Sequence, residues 1–208
     1  ETWLSCNSVS LARLLPQAGY YAWAAARAPD RTFVVPSGNF GNACACLLAM
    51  RMGSPIRGVH LACNTNGGTF LRLLATGIYH SMPTVQTPAT AMDVGKPSNL
   101  VRLLYFRNRN TPVSASVVGN ATIIKFQNVI VCPHTACAVY AAQEMLKRDP
   151  NAKPVIVRTA DASKFDVVAR QPEIAPPPIR LHSPDLLQTC PDKVFLVGMP
   201  GAGKSTLA

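Results

Sequence analysis

The chain's 208 residues are enough for one domain with a full core and the edge of another. Apolar residues make up 48% of it and charged residues 14%, the balance of a globular protein rather than a nucleic-acid-binding tail. The net charge of +10 is uneven: residues 1–142 carry only Glu1, Asp30 and Asp93 as acids, against eleven lysines and arginines. That suits an anionic ligand. The basic residues are scattered and form no run, so no nucleic-acid partner is expected. Seven cysteines, an odd number without framework spacing, argue against a disulfide scaffold. No CxxC pair is present, and Cys44 and Cys46 would face apart on a helix, so no metal site is expected. No apolar run approaches membrane-spanning length and no signal peptide is visible, so no membrane partner and a cytoplasmic location are expected. The chain begins with Glu1 rather than Met, as a fragment would.

In chain order, Asn7-Ser8-Val9-Ser10 offers N-cap oxygens ahead of an apolar helical pattern through Leu11, Leu14, Leu15, Ala18, Tyr21, Ala22 and Ala25. The pattern predicts a helix to about Ala28, kinked or restarted at Pro16, which has no backbone donor. Arg13 sits one turn inside that start. Asn7, Ser8 and Arg13 either converge on an anion or form a capped amphipathic helix with a solvated arginine.

The β-branched run Thr32-Phe33-Val34-Val35 predicts a strand. It leads into Pro36-Ser37-Gly38-Asn39-Phe40-Gly41-Asn42, and an apolar helix from Ala43 to Met52 follows, stopped by Gly53. Strand, glycine turn and helix in that order build an anion site, because unpaired N–H groups at the helix start point at the ligand with the dipole behind them. The expected consequences are an irregular turn over 37–42, a helix starting near Gly41, and amides from Gly38 to Asn42 left without acceptors.

A second strand is predicted over Ile56–Ala62, then the loop Asn64-Thr65-Asn66-Gly67-Gly68 and a short helix over 69–75 ending at Gly77. Such alternation argues for an α/β domain with a mainly parallel sheet, whose ligand lies off the carboxyl ends of the strands. Residues 79–97 read as a long ordered loop. Ser98 is positioned to cap a helix over 99–107. Residues 108–131 show neither period, apart from a strand candidate at Val129-Ile130-Val131. Pro133 fits the first position of a helix to about Arg148, with His134 and Cys132 at its start. Val155-Ile156-Val157 is a further strand, followed by Thr159 and a short helix after Ser163.

Residues 171–192 carry six prolines and read as a linker. Beyond it, a strand over Lys193–Val197 precedes Gly198-Met199-Pro200-Gly201-Ala202-Gly203-Lys204-Ser205-Thr206, which fits the GxxxxGK[ST] phosphate loop. Gly198, Gly201, Gly203, Lys204, Ser205 and Thr206 are the expected nucleotide-binding residues, with Mg-ATP as the ligand of an incomplete site. The chain stops before the helix such a loop needs.

Five motifs, in order over roughly residues 5–170, resemble those of threonine synthase. They are Asn7-Ser8-Val9-Ser10 with Arg13, Pro36 to Asn42, Ala91-Met92-Asp93-Val94 with Pro97-Ser98-Asn99, Pro133-His134-Thr135-Ala136, and Thr159-Ala160 with Ser163-Lys164-Phe165. The resemblance implies a tryptophan-synthase β-like, fold type II α/β domain over 1–170, incomplete. It implies pyridoxal 5′-phosphate as cofactor and conversion of O-phospho-L-homoserine and water to L-threonine and phosphate. It further implies that Ser37, Gly38, Asn39, Phe40, Gly41 and Asn42 cradle the cofactor phosphate and that Thr159 meets the pyridine nitrogen. Asn7, Ser8 and Arg13 would hold the phosphate of the small phosphorylated amino-acid substrate. The close of the chain, 193–208, resembles the opening of shikimate kinase.

Several positions depart from the family pattern. The Schiff-base lysine belongs to a Phe-Lys-Asp motif upstream of Glu1, so no catalytic residue is assigned and the isolated chain is expected to be inactive. Lys164 falls in the carboxyl-terminal motif instead. Asp161-Ala162 stands for His-Pro, Gly67-Gly68 for an acid after Asn66, and 108–131 for a longer segment. Two alternatives stay open: a non-catalytic protein binding a phosphorylated ligand or partner, and an accessory part of a P-loop, shikimate kinase-like enzyme.

Overall fold

The computed structural model describes residues 10–107, 111–127, 132–160 and 194–197. Among these, five parallel strands form one sheet. They are β1 (Arg31–Pro36), β2 (Ile56–Cys63), β3 (Val113–Val117), β4 (Pro154–Arg158) and β5 (Val194–Val197), in the spatial order β3-β2-β1-β4-β5. The strand expected over Lys193–Val197 is β5, and it pairs with β4 in this same sheet.

Helices cover both faces, which is why the middles of β1 and β4, Phe33-Val34-Val35 and Val155-Ile156-Val157, are continuously apolar instead of alternating. Phe33 and Val35 of β1 point to one side, into a core with Val59 and Leu61 of β2 and Val155 and Val157 of β4. Helices α1 (Leu11–Arg27), α2 (Gly41–Arg51), α3 (Gly68–Thr76) and α4 (Leu100–Arg107) close that side. Val34, Ala62 and Ile156 point the other way, against α5 (Asn120–Gln127) and α6 (Pro133–Arg148). Ala136, Ala138, Ala141 and Ala142 make the inner face of α6 small, so it seats close on the sheet.

Three expectations change. Helix α1 runs unbroken through Pro16, with Leu14, Ala18, Tyr21, Ala24 and Ala25 buried. Pro16 and Ala12 both lie on the exposed side, so the helix carbonyl that loses its donor faces water. Ser10 occupies the N-cap position, yet its side chain makes no capping bond. Within 108–131 the structure holds β3 and α5, neither of them anticipated; Val129-Ile130-Val131 lies outside the described residues. The 79–97 loop contains one short 3-10 turn, Thr90–Met92. Among the described residues no helix is long and apolar enough to cross a membrane, and no cluster of three His, Cys, Asp or Glu side chains is arranged to hold a metal.

Candidate functional site at the carboxyl ends of β1 and β4

From β1 the chain passes through α2, on one face, to β2 on one flank. It later returns through α6, on the opposite face, to β4 on the other flank. The strand order therefore reverses between β1 and β4, and in open α/β sheets ligands settle at the carboxyl side of such a switch. Val34 pairs with Ile156, so the register carries Ser37 and Thr159 to the same end of neighbouring strands.

The turn after β1 is held tightly. Ser37 is buried, donates its amide to Ala62 O at 2.9 Å and its hydroxyl to Val35 O at 2.8 Å. Gly38 lies against the backbone of Met92, where a β-carbon would stand 2.5 Å from Met92 Cα. Its glycine is thus required by a neighbouring loop. Asn39 is clasped by Ser98: its Nδ2 donates to Ser98 Oγ at 2.8 Å, and its Oδ1 accepts from Ser98 N at 2.6 Å. Ser98 therefore ties the turn to the start of α4. Phe40 is the N-cap of α2 in the left-handed region, φ 60°, and packs its buried ring on Phe70 with centroids 4.9 Å apart. Asn42 Oδ1 accepts from Tyr20 at 3.0 Å and from the fully buried Tyr21, which fixes α1 to the first turn of α2. Burial pushes both phenols well above their ordinary pKa, so they are donors at any working pH.

Helix α2 starts at Gly41, as expected. Among the described residues the backbone N–H groups of Gly38, Phe40, Gly41 and Asn42 meet no acceptor. Unpaired amides at the start of a three-turn helix are what an anion needs.

Behind this turn stands a carboxylate hub that sequence reasoning missed. Asp93 Oδ1 accepts from Asn64 Nδ2 at 2.7 Å, Asn66 Nδ2 at 3.1 Å and Thr87 Oγ1 at 2.7 Å, while Oδ2 accepts from Thr87 N at 2.9 Å. Asn66 also bonds both backbone groups of Val85. These bonds hold the 85–93 loop over the end of β2, and so place Met92 against Gly38. The signal was present in Asn64-Thr65-Asn66 and Asp93, but they lie almost thirty residues apart. Gly67 has its own reason: a β-carbon there would collide with the Cys63 side chain. His134 is buried, and its Nε2 accepts from Ala91 N at 3.0 Å, so it anchors the same loop to α6.

Thr159 follows β4. Its amide donates to Thr135 Oγ1 at 3.3 Å, and its hydroxyl lies 3.7 Å from the Sγ of Cys132, the N-cap of α6. Cys132 Sγ also lies 3.0 Å from Thr135 Oγ1 and accepts from Thr135 N at 3.4 Å.

Arg13 is half-buried on the first turn of α1, where its carbonyl accepts from Gln17 Nε2 at 2.9 Å. Asn7 and Ser8, Lys164 and the 171–192 segment lie outside the described residues, as do Gly198, Gly201, Gly203, Lys204, Ser205 and Thr206.

No family model matches the chain. Threonine synthase from Haemophilus influenzae is 32% identical over 176 residues, covering 77% of this chain and 41% of that protein. The crystal structure of threonine synthase from Escherichia coli superposes with a TM-score of 0.70 at 26% identity, covering 95% of this chain and 44% of that one. The chain is similar to threonine synthases over most of its length. A third match is the threonine synthase from Brucella melitensis in its PLP-bound structure, with a TM-score of 0.66 at 26% identity, over 90% of this chain and 48% of that one. The chain thus spans less than half the length of these threonine synthases. Its α/β fold with a parallel sheet is the fold type II kind expected. The nucleotide-loop reading of 193–208 gains no support from these matches.

Proposed function

We propose that this chain supplies the cofactor-phosphate and substrate-phosphate part of a threonine synthase-type active site, which converts O-phospho-L-homoserine and water to L-threonine and phosphate with pyridoxal 5′-phosphate. The observation that carries the reading is the set of unpaired amides at Gly38, Phe40, Gly41 and Asn42, on the same sheet end as Thr159. The residues fit the group: a doubly charged phosphate matches a helix N-terminus, and a pyridine nitrogen matches a threonine hydroxyl. The amides of 38–42 would hold the phosphate, and Asn39 and Asn42 would keep those amides aimed through Ser98 and Tyr20. When bound, the cofactor supplies an electron sink for carbanion chemistry.

Arg13, with Asn7 and Ser8, would take the substrate phosphate; the tie between α1 and Asn42 supports a place for Arg13 beside the same turn. Lys153 immediately precedes β4 and Lys147 pairs with Glu144 near the end of α6, both at the amino end of the sheet and away from this turn. Neither of these two suits a Schiff base; no lysine of the chain is assigned that role here, and the reading takes the chain alone as inactive.

The test is a chimaera in which this chain replaces the matched portion of the Haemophilus influenzae enzyme, beside the chain alone. Threonine and phosphate from the chimaera, none from the chain alone, and a raised KM in Arg13→Ala are the results expected. A folded chimaera that binds no pyridoxal 5′-phosphate would overturn the reading.

A further inference from the structure

We infer that the Cys132 thiol is a positioning residue that turns the Thr159 hydroxyl outward as a hydrogen-bond donor, so that the site at the end of β4 selects a ring nitrogen bearing a free lone pair. The inference rests on the cofactor reading above.

It follows from counting hydrogens in a place closed to water. Cys132 is fully buried and Thr135 is 1% exposed. Thr135 Oγ1 receives the Thr159 amide at 3.3 Å, so its own hydrogen goes to its other neighbour, Cys132 Sγ, at 3.0 Å. The sulfur also receives Thr135 N at 3.4 Å. With two donors aimed at it, the thiol's hydrogen has one neighbour left, Thr159 Oγ1 at 3.7 Å. The opposite order, thiol donating to Thr135, would strand a buried threonine O–H without an acceptor, a costlier arrangement.

Thr159 Oγ1 is therefore an acceptor on its inner side, and among the described residues nothing else engages it. Its hydrogen is directed away from the sulfur, and the residue is half-exposed there. A donor in that direction accepts a neutral ring nitrogen as partner and opposes a protonated one or a ring C–H. Thiol hydrogen bonds are long and weak, so the effect is on direction more than on stability.

The experiment titrates the full chain with pyridoxamine 5′-phosphate and with its 1-deaza analogue, whose ring carries CH in place of the nitrogen. The wild type is expected to prefer the nitrogen ring by about tenfold, the scale of one net hydrogen bond. Cys132→Ala should shrink that preference to about threefold or less while leaving the deaza affinity unchanged, and Cys132→Ser should restore it. Cys132→Val, close in volume but without a donor, serves where the alanine variant does not fold. An undiminished preference in the folded variant, or a wild type that binds both rings equally, overturns the inference and leaves the cofactor reading standing. A wild type that binds neither ring overturns both.

Discussion

A β-carbon on Gly38 would stand 2.5 Å from Met92 Cα and 2.9 Å from Met92 O, so the two backbones pass in direct contact. Both obstructing atoms are main chain, held by the Asp93 hub on one side and by Ser37 on the other, and neither can swing aside. Gly38→Ala is expected to cost about 1–3 kcal/mol, the range for overpacking a fixed site. Urea denaturation measures it. Since relief would shift the turn, affinity for pyridoxamine 5′-phosphate should also fall, by about tenfold or more if the amides of 38–42 are its anchor. A variant as stable as the wild type would show that the 85–93 loop is not held against the turn.

Asp93 gathers four donors from Asn64, Asn66 and Thr87 with no cation among the partners described. Hydrogen bonds to a charged acceptor contribute about 1.5–3 kcal/mol each when one is removed. Asp93→Asn keeps the size but presents an NH2 to side chains that are themselves donors. It should destabilise by about 2–4 kcal/mol, more than Asp93→Ala does if the cavity admits water. Chemical denaturation of both variants beside the wild type checks the order, and an Asp93→Asn variant as stable as the wild type would mean that charge at this position is immaterial.

Strands β1 and β4 were legible because a parallel sheet covered on both faces demands unbroken apolar runs, and Phe33-Val34-Val35 and Val155-Ile156-Val157 are such runs. Helix α6 was legible from Pro133, and the start of α2 from the glycine turn. Strand β3 was not, although Val113-Ser114-Ala115-Ser116-Val117 alternates with period two. It has five residues at a sheet edge, Val113, Ala115 and Val117 pack on the core, and its serines bond His60 on the other face with Ser114 exposed, so the polar side reads as loop. At the site, backbone placement could be read from local order, whereas side-chain roles could not. Asn39 and Asn42 look like ligand groups in a glycine turn, yet their partners are Ser98, fifty-nine residues on, and Tyr20, twenty-two residues back. Only the fold brings those together.

The described cysteines, Cys44, Cys46, Cys63, Cys132 and Cys137, are all buried and unpaired by disulfides. Burial pushes the Cys44, Cys63 and Cys137 thiols up to about 12, and Cys46 well above its ordinary value, so none of the four forms thiolate near neutrality. Thiolate is the reactive form. In native protein these five should stay unmodified by iodoacetamide over hours and become labelled together on unfolding, as mapped by mass spectrometry. Labelling of Cys46 or Cys63 in native protein would contradict the packing of α2 and β2.

His60 gives the pH dependence. Its ring bridges two serines of β3, Nδ1 to Ser114 Oγ at 2.8 Å and Nε2 to Ser116 Oγ at 2.9 Å, and only 7% of the residue is exposed. Desolvation first, then the charge of Arg148, pull its pKa down from 6.5 to about 4. Above pH 6.5 the ring is neutral in folded and unfolded chains alike, and the group adds no slope. Below that value the unfolded chain takes up a proton that the folded chain refuses until about pH 4, so stability falls across this window. The full loss is about 3 kcal/mol at 1.36 kcal/mol per pH unit. His60→Gln removes the titration: it should be less stable at pH 7.5, where the serine bridge is lost, and flatter between pH 6.5 and 4.5. Urea midpoints of the two proteins across that range decide it, because the carboxylates contribute alike to both and cancel in the comparison. Parallel curves would mean that His60 protonates freely in the folded state and that the β2–β3 edge opens to water.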